Sequence, residues 1–507
     1  MYLEHINAVT PIFDKMDLQD GIAFYYDSPP CQQVCAQALT YSNVLLLAKT
    51  LDFYVERNGP REPDQVAAEL EQTRALIRNC DRALEGLGEF IKPTMEYLRA
   101  LLTLALVCQQ YYSAPVYARV LSSVTGVIRA MGLHQTALSP STSWEDVSES
   151  ERLFWVAYAM DKQNVFLSGL AGELYLFDCR FPLHPVDCER PSPRQHFGAL
   201  THLMAIWEDI YLKLYSPRST MYNTESRASQ AQILRQDLAR WEAVHNRLLN
   251  PTTIDSTHSP NPSLQSSTTE LTYALHVTQL LISRCDPSLP PSTRYRTPSL
   301  AALTTITTFA PNTSTPNPNP HTHTHTHTHT HTHTHSFMAT LSRIFRNYPM
   351  IPFHDLFTSL LTCSKTKSTF TETAETLQST RRALSLLQND HWLESYYIKL
   401  YSGFRWCTEQ VEILYTMLAY FSDQGACPDL DGFVGIRSGS VMDLDMGLDL
   451  GSLFAGDGVG RAGGRLHFER GLDAGADADA DAGGEGARIG RSMGLGDSFF
   501  DVAGGIF

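Results

Sequence analysis

The stretch from Val116 to Pro185 constrains the fold more than any other part of the chain. Its first apolar residues recur at steps of three and four, at Val116, Val120, Leu121, Val124, Ile128 and Met131. This spacing places them on one stripe of an α-helix. Gly132 stands where a helix ends in a left-handed residue, and Leu133 stands where such a cap is followed by an apolar contact. The pattern therefore predicts a helix that ends at Gly132.

A second helix is predicted to begin at Ser148, which has the capping-box spacing to Glu151. Its buried face contains Leu153, Phe154, Ala157, Tyr158 and Val165. Asp161 lies on the same face, and a buried carboxylate needs a partner or a proton. We therefore predict a structural role for Asp161, with Arg129 of the preceding helix as its first candidate partner. Lys162, predicted to point elsewhere on the helix, and backbone N–H groups near Gly169 are the competing candidates.

These two helices resemble the regulatory domain of fungal transcription factors, also called the middle homology region. The motifs that carry the resemblance are Gly126 to His134, Glu151 to Trp155 and Tyr158 to Asp161. The residues that we assign to the family motif, with structural roles, are Arg129, Gly132, Leu133, His134, Arg152, Phe154, Trp155 and Asp161. The resemblance covers roughly Tyr2 to Phe421. One departure is Leu170-Ala171, where the family commonly has an Arg-Pro pair.

The resemblance implies a DNA-binding zinc cluster on the N-terminal side of this domain. A zinc cluster needs close cysteine pairs, yet among the ten cysteines only Cys31 and Cys35 are close. We therefore expect no cofactor in this chain, and zinc only in an upstream cluster. The start of the chain near the domain's first motif favours such a cluster, although true absence is the alternative. The formal net charge of −15 disfavours DNA binding by the chain as a whole.

The helical periodicity predicts an all-α, multi-helical regulatory domain in two parts, residues 1–285 and 337–422. Residues 286–336 form a low-complexity insert rich in Thr, Pro, Ser and Asn that ends in a His-Thr repeat. Such a composition cannot bury enough apolar surface to offset its ordering entropy. We therefore expect the insert to be disordered and dispensable for folding. Metal binding by its histidines is the weaker alternative.

Residues 423–507 are predicted to form a disordered acidic tail rich in Gly, Ala and Asp. Within it, acids alternate with apolar residues at Leu444, Leu448 and Leu450, Leu453 and Phe454 follow, and the theme returns at Phe499 and Phe500. Acids keep such a segment solvated while its apolar side chains remain available to a groove on a partner. The composition is typical of activation segments, and a featureless acidic tail is the alternative.

No catalytic motif accompanies these features. The sequence contains no Ser-His-Asp elbow, P-loop or HExxH motif, and Gly458 to Gly463 matches a dinucleotide-binding pattern without the strand and helix it needs. No apolar run reaches the ~18 residues of a membrane span. We therefore expect a nuclear transcription regulator and no enzyme. Its expected partners are the transcription machinery or other regulators, a small-molecule effector, a second copy of the chain, and DNA only through another module. The alternatives are a non-DNA-binding interaction protein and, less favoured, a helical enzyme.

Overall fold

The computed structural model of the protein describes residues 1–29, 35–55, 63–87, 92–135, 144–180, 183–250, 262–290, 292–309, 326–363 and 367–385. The α-helices in these ranges are α1 (Lys15–Asp27), α2 (Cys35–Val55), α3 (Pro63–Glu85), α4 (Met95–Tyr111), α5 (Ala114–Ala130), α6 (Glu149–Ser168), α7 (Pro193–Ile210), α8 (Thr224–Leu249), α9 (Pro262–Arg284), α10 (Thr297–Phe309), α11 (Thr326–Asn347), α12 (Ile351–Cys363) and α13 (Lys367–Ser385). No strand occurs in these ranges, and the predicted all-α fold is confirmed.

Most of the helices pack on their neighbours in the chain. Helix α4 packs on α2 and α5, α6 packs on α5 and α7, and α9 packs on α7, α8 and α10. Helix α11 is an exception, because it contacts α2, α6 and α9, which are distant from it in the chain. Every residue from 336 to 347 is buried, so α11 supplies the centre onto which the earlier helices pack.

Helix α6 is buried on all its sides, whereas the sequence pattern predicts one buried face. Every residue from Glu151 to Gln163 is buried. The charged side chains of Arg152, Asp161 and Lys162 are therefore inside the protein, where each needs an oppositely charged or hydrogen-bonding partner. Those partners define the candidate site described below.

The prediction that the whole of 286–336 stays outside the core is wrong for its first part. Helix α10 packs on α9, and it buries Ala302, Leu303, Ile306 and Phe309. Threonine is compatible with this helix because its hydroxyl can donate a hydrogen bond to the carbonyl oxygen one turn earlier. Thr305 donates in this way to the Ala301 carbonyl oxygen at 2.9 Å. The average composition of the insert conceals this apolar stripe.

Helix α11 begins at Thr326, inside the His-Thr repeat. Residues 310–325 and 386–507 lie outside the described ranges, and so do the predicted helix near residues 406–421 and the whole acidic tail.

A buried ion pair joins the two predicted parts of the body. The Arg343 Nε atom lies 2.7 Å from Glu270 Oε2, and both side chains are 3% exposed. The same guanidinium donates to the His5 carbonyl oxygen at 2.6 Å and to Ser266 Oγ at 2.8 Å. One arginine thus connects α11, α9 and the N-terminal turn.

Candidate functional site

The turn after α5 has the cap that the sequence predicts. Gly132 has a φ of 67°, in the left-handed region that favours glycine. The next residue, Leu133, is buried, and so is His134. The His134 carbonyl oxygen accepts a hydrogen bond at 2.9 Å from the Arg180 N–H. The turn therefore contacts the segment that follows α6.

The predicted capping box at the start of α6 is also present. Ser148 Oγ accepts from the Glu151 N–H at 3.4 Å, and Glu151 Oε2 accepts from the Ser148 N–H at 3.2 Å. One turn further, buried Arg152 reaches out of the helix and donates to Asp14 Oδ2 at 2.8 Å. Arg152 thus ties α6 to the N-cap residue of α1.

The aromatic residues of the motif lie in a packed cluster. Phe154 and Trp155 are both fully buried, with ring centroids 5.2 Å apart. Trp144 contacts the edge of Trp155 with a centroid distance of 6.2 Å. A Cβ atom on Gly198 of α7 would overlap the Trp144 ring at Nε1, so glycine is required for this close approach. Both motif aromatics therefore pack the core beside α7.

Asp161 accepts hydrogen bonds from the backbone of the segment that follows α6. Its Oδ1 atom lies 3.0 Å from the Glu173 nitrogen, and its Oδ2 atom lies 3.2 Å from the Leu174 nitrogen. Lys162 Nζ lies 3.1 Å from the same Oδ2 atom. These contacts satisfy a carboxylate whose side chain is only 4% exposed.

Lys162 connects Asp161 to a second buried acid. Its Nζ atom lies 3.3 Å from Glu208 Oε2 on α7 and donates to the Leu174 carbonyl oxygen. Glu208 also accepts from the Tyr158 hydroxyl at 3.0 Å and from the Leu176 N–H at 3.1 Å. Burial, followed by the charge of Glu208, raises the pKa of Tyr158 well above its ordinary value, so the phenol is a neutral donor.

The predicted pairing of Arg129 with Asp161 is wrong. Arg129 is exposed and donates to the Glu173 carbonyl oxygen, while Asp161 accepts from the N–H of the same residue. The prediction failed because Lys162 curls back onto the preceding aspartate, although successive side chains of a helix point in different directions. The Glu173 carboxylate accepts hydrogen bonds from Ser122 and Thr125 of α5.

The residues from Gly169 to Leu176 are therefore clamped to three helices; we call them the clamped segment. The departure Leu170-Ala171 lies in this segment, immediately before Gly172. A Cβ atom on Gly172 would lie 2.7 Å from Asp161 Oδ2 and 3.0 Å from Lys162 Nζ, so the network leaves room for glycine alone. The chemistry of the network is thus structural: its carboxylates and its ammonium group hold an irregular backbone in place.

Sequence reasoning missed Glu208, Glu270 and Arg343 as members of buried ion pairs, and it named Lys162 only as a competing partner for Asp161. The available signal was a charged residue inside an apolar helical stretch, as for Glu208 two residues before Ile210. In the parts of the chain that the structure describes, no group of three or more His, Cys, Asp or Glu residues could hold a metal ion. No described helix is long and apolar enough to cross a membrane. The residues that are predicted to form an activation segment, Leu444 to Phe500, lie outside the described ranges.

Comparison with known proteins identifies the class to which this helical body belongs. Residues 1–243 match the profile of the fungal specific transcription factor domain. A similar protein is transcription factor oryO of Aspergillus oryzae, which is 33% identical over 444 residues, covering 85% of this chain and 52% of oryO. Transcription factor sphG of Aspergillus fumigatus is 23% identical over 218 residues, covering 41% of this chain and 29% of sphG. No solved structure matches the chain.

Residues 1–243 thus form a fungal-specific transcription factor domain, as the motif helices indicate. The chain spans about half the length of oryO and less of sphG. Helices α9 to α13 lie beyond the matched residues 1–243, yet α11 packs on α6, and α9 packs on α7 and α8. The oryO similarity extends over most of the chain and is therefore the broader of the two relationships.

Proposed function

We propose that this chain is the regulatory and effector part of a nuclear transcription regulator and has no enzymatic role. The observation that carries the proposal is the match to the fungal specific transcription factor domain, whose motif residues lie at the end of α5, in the turn after it and in the buried helix α6. The names of the two similar proteins, both transcription factors, support the same function. The residues Arg129, Gly132, Leu133, His134, Arg152, Phe154, Trp155 and Asp161 have structural roles in this proposal.

Specific contact with DNA is assigned to a module outside these 507 residues. The net charge of −15 supports this assignment, since duplex binding needs clustered Lys and Arg against phosphate. The purified chain should give no sequence-selective, salt-sensitive mobility shift with duplex DNA. A selective shift would contradict the assignment and would indicate a basic surface within the chain.

The acidic tail is proposed to contact the transcription machinery. Leu444 and Leu448 alternate with acids and Phe454 follows them, which is the composition of segments that bind a partner's groove through apolar anchors. Leu450, Leu453, Phe499 and Phe500 extend the same pattern.

A reporter assay tests the transcriptional role of the chain and the activating role of its tail. The full chain, fused to a heterologous DNA-binding domain, should activate a reporter in fungal cells, and a chain ending at residue 422 should activate it far less. Replacing Leu444, Leu448 and Phe454 by alanine should reproduce that loss. The matched control replaces three acids whose neighbours are all alanine, Asp477, Asp479 and Asp481, by alanine. Equal activity of the full and shortened chains at equal abundance would contradict an activating tail.

A further inference from the structure

Arg346, near the end of α11, is a buried arginine that forms no ion pair with any residue in the described ranges. Four Arg and Lys residues are buried in these ranges, and the other three are Arg152, Lys162 and Arg343. Each of those three forms an ion pair with a carboxylate. Arg346 is only 8% exposed, and a buried charge is costly unless a counter-charge approaches it.

The terminal nitrogens of the Arg346 side chain are the atoms that lack partners. The Nε atom donates to the Ser342 carbonyl oxygen, one turn earlier in α11, at 3.1 Å. Neither Nη atom donates a hydrogen bond to a residue in the part of the chain that the structure describes, and neither is sealed from solvent. The stem is therefore buried, while the end of the guanidinium opens onto accessible space. Two N–H groups side by side match the two oxygens of a carboxylate.

A second polar side chain without a partner lies near the same place. Gln109 of α4 is 8% exposed, and neither its amide nitrogen nor its amide oxygen has a hydrogen-bond partner among the described residues. Burial raises the pKa of the Tyr117 hydroxyl on α5, and the Gln109 amide and the Arg346 charge both act in the opposite direction. Next to Gln109, Gln110 accepts from Ser342 Oγ at 3.3 Å. The end of α4 therefore meets α11 one turn before Arg346.

We propose that Arg346 and Gln109 bind a small carboxylate anion where α4, α5 and α11 meet. The two oxygens of the anion would accept from the Nη atoms of Arg346. The Gln109 amide, which has no hydrogen bond to lose within the described ranges, would turn to donate to one of them. The anion thus supplies the negative charge that the guanidinium needs.

The charge at this place favours a monoanion over a phosphate group. One guanidinium balances one negative charge, whereas a phosphate dianion needs a second cation. Arg343, three residues earlier in α11, is paired with Glu270 at 2.7 Å and keeps its charge compensated. The narrow exposure of Arg346 limits the carbon chain of the ligand to a short one.

The proposed site also adjoins the motif helix α6. The Tyr117 hydroxyl lies 3.5 Å from the Met160 carbonyl oxygen, next to Asp161 in the chain. An anion beside Tyr117 would therefore lie close to the residues that hold the clamped segment. The regulatory meaning of the ligand rests on the proposed function, whereas binding itself does not.

Thermal unfolding of the purified full chain in acetate tests the binding. A ligand that binds only the folded chain raises the unfolding temperature as its concentration rises. Acetamide is the neutral counterpart of similar shape, phosphate is the dianionic comparison, and sodium chloride keeps the ionic strength constant. We expect the dissociation constant of acetate to be at least about tenfold lower than that of acetamide, because charge-assisted hydrogen bonds are about twice as strong as neutral ones. Equal shifts with acetate and acetamide, or a larger shift with phosphate, would overturn the proposal.

Variants assign the binding to Arg346. Arg346→Met should abolish the shift that acetate produces, and Arg346→Lys should weaken acetate binding by about tenfold because it loses the paired donors. Arg218→Met is the matched control, since Arg218 is exposed. An unchanged shift in Arg346→Met, or an equal loss in Arg218→Met, would overturn the assignment.

Unfolding without acetate separates a charge that needs a ligand from one that the chain already satisfies. Arg346→Met should leave the unfolding temperature unchanged or raise it, because an apolar side chain replaces a buried charge without a partner. Arg343→Met should lower it strongly, because Glu270 then lacks its cation. Equal losses in the two variants would mean that Arg346 has an acidic partner within the chain, and the proposal would be wrong.

Gln109→Glu supplies the carboxylate from the chain itself. This variant should unfold at a higher temperature than the unchanged chain in acetate-free buffer, and acetate should no longer shift it. A full acetate shift in Gln109→Glu would contradict the proposed position of the site. The reporter fusion does not depend on these measurements: an active reporter without acetate binding would refute this site alone, and acetate binding with a silent reporter would refute the transcriptional role alone.

Discussion

Lys162 and Asp161 are adjacent in the chain, and their side chains form a buried ion pair. The lysine Nζ atom lies 3.1 Å from Asp161 Oδ2, and the side chains are 2% and 4% exposed. Neighbouring side chains of a helix diverge, so the contact requires the long lysine stem to fold back. The ammonium then serves Glu208 as well and closes a network across α6 and α7.

Replacing Lys162 by methionine should destabilise the protein by roughly 3–5 kcal/mol, because two buried carboxylates lose the cation that they share. The free energy of unfolding in urea measures the effect. Lys213→Met is the control: Lys213 forms an ion pair with Asp209 at 3.0 Å, with side chains 34% and 48% exposed. Such a pair contributes about 0–1 kcal/mol, so equal losses for the two variants would contradict a buried network.

Gly172→Ala should destabilise the clamped segment, because its Cβ would lie 2.7 Å from Asp161 Oδ2. We expect a loss of about 1–3 kcal/mol, as for other overpacked sites. Gly126→Ala in α5 is the matched control, since nothing lies within 4 Å of its Cβ position. In a helix interior this change should stabilise by up to about 1 kcal/mol. Thermal unfolding of both variants, measured side by side, should therefore give shifts of opposite sign.

The sequence was sufficient for the helices and their caps around the motif. The Gly132 cap and the Ser148–Glu151 box follow from local chemistry, which depends on residues a few positions apart. The choice among the candidate partners of Asp161 could not be made in this way. It depends on the clamped segment, whose path is set by contacts with α5 and α7, and on a lysine that bends against its expected direction.

Composition was a poor guide to the region after residue 285. Averaged over residues 286–336, threonine and proline conceal the stripe of Leu303 and Ile306 on α10. Conversely, Glu208, Glu270 and Arg343 lie in apolar helical stretches, and their partners come from distant parts of the chain. Long-range ion pairs leave no period in a sequence. The dispensability of residues 310–325 stays a prediction.

Leu303→Ala should cost about 2–5 kcal/mol, because Leu303 is fully buried on α10 and its removal leaves a cavity. Thr304→Ala, at the exposed neighbouring position, should change stability by less than about 0.5 kcal/mol. Urea unfolding compares the two. If Leu303→Ala proves as mild as Thr304→Ala, α10 does not pack on α9 and the region behaves as the composition alone suggests.

His202 should make the protein less stable as the pH falls below about 6.5. Burial, followed by the neighbouring His245, lowers the pKa of His202 from 6.5 to about 4, and its Nε2 atom lies 2.9 Å from the His184 carbonyl oxygen. Between these two pH values the unfolded chain binds a proton that the folded chain does not. The free energy of unfolding therefore falls by up to about 1.4 kcal/mol for each unit by which the pH is lowered. The contribution is fully present above pH 6.5 and is lost as the pH approaches 4. His202→Gln, which keeps a donor for the carbonyl, should flatten the dependence of the unfolding free energy on pH in this window. Parallel curves for the two proteins between pH 4.5 and 6.5 would mean that His202 takes up its proton equally in the folded and unfolded states, against a lowered pKa.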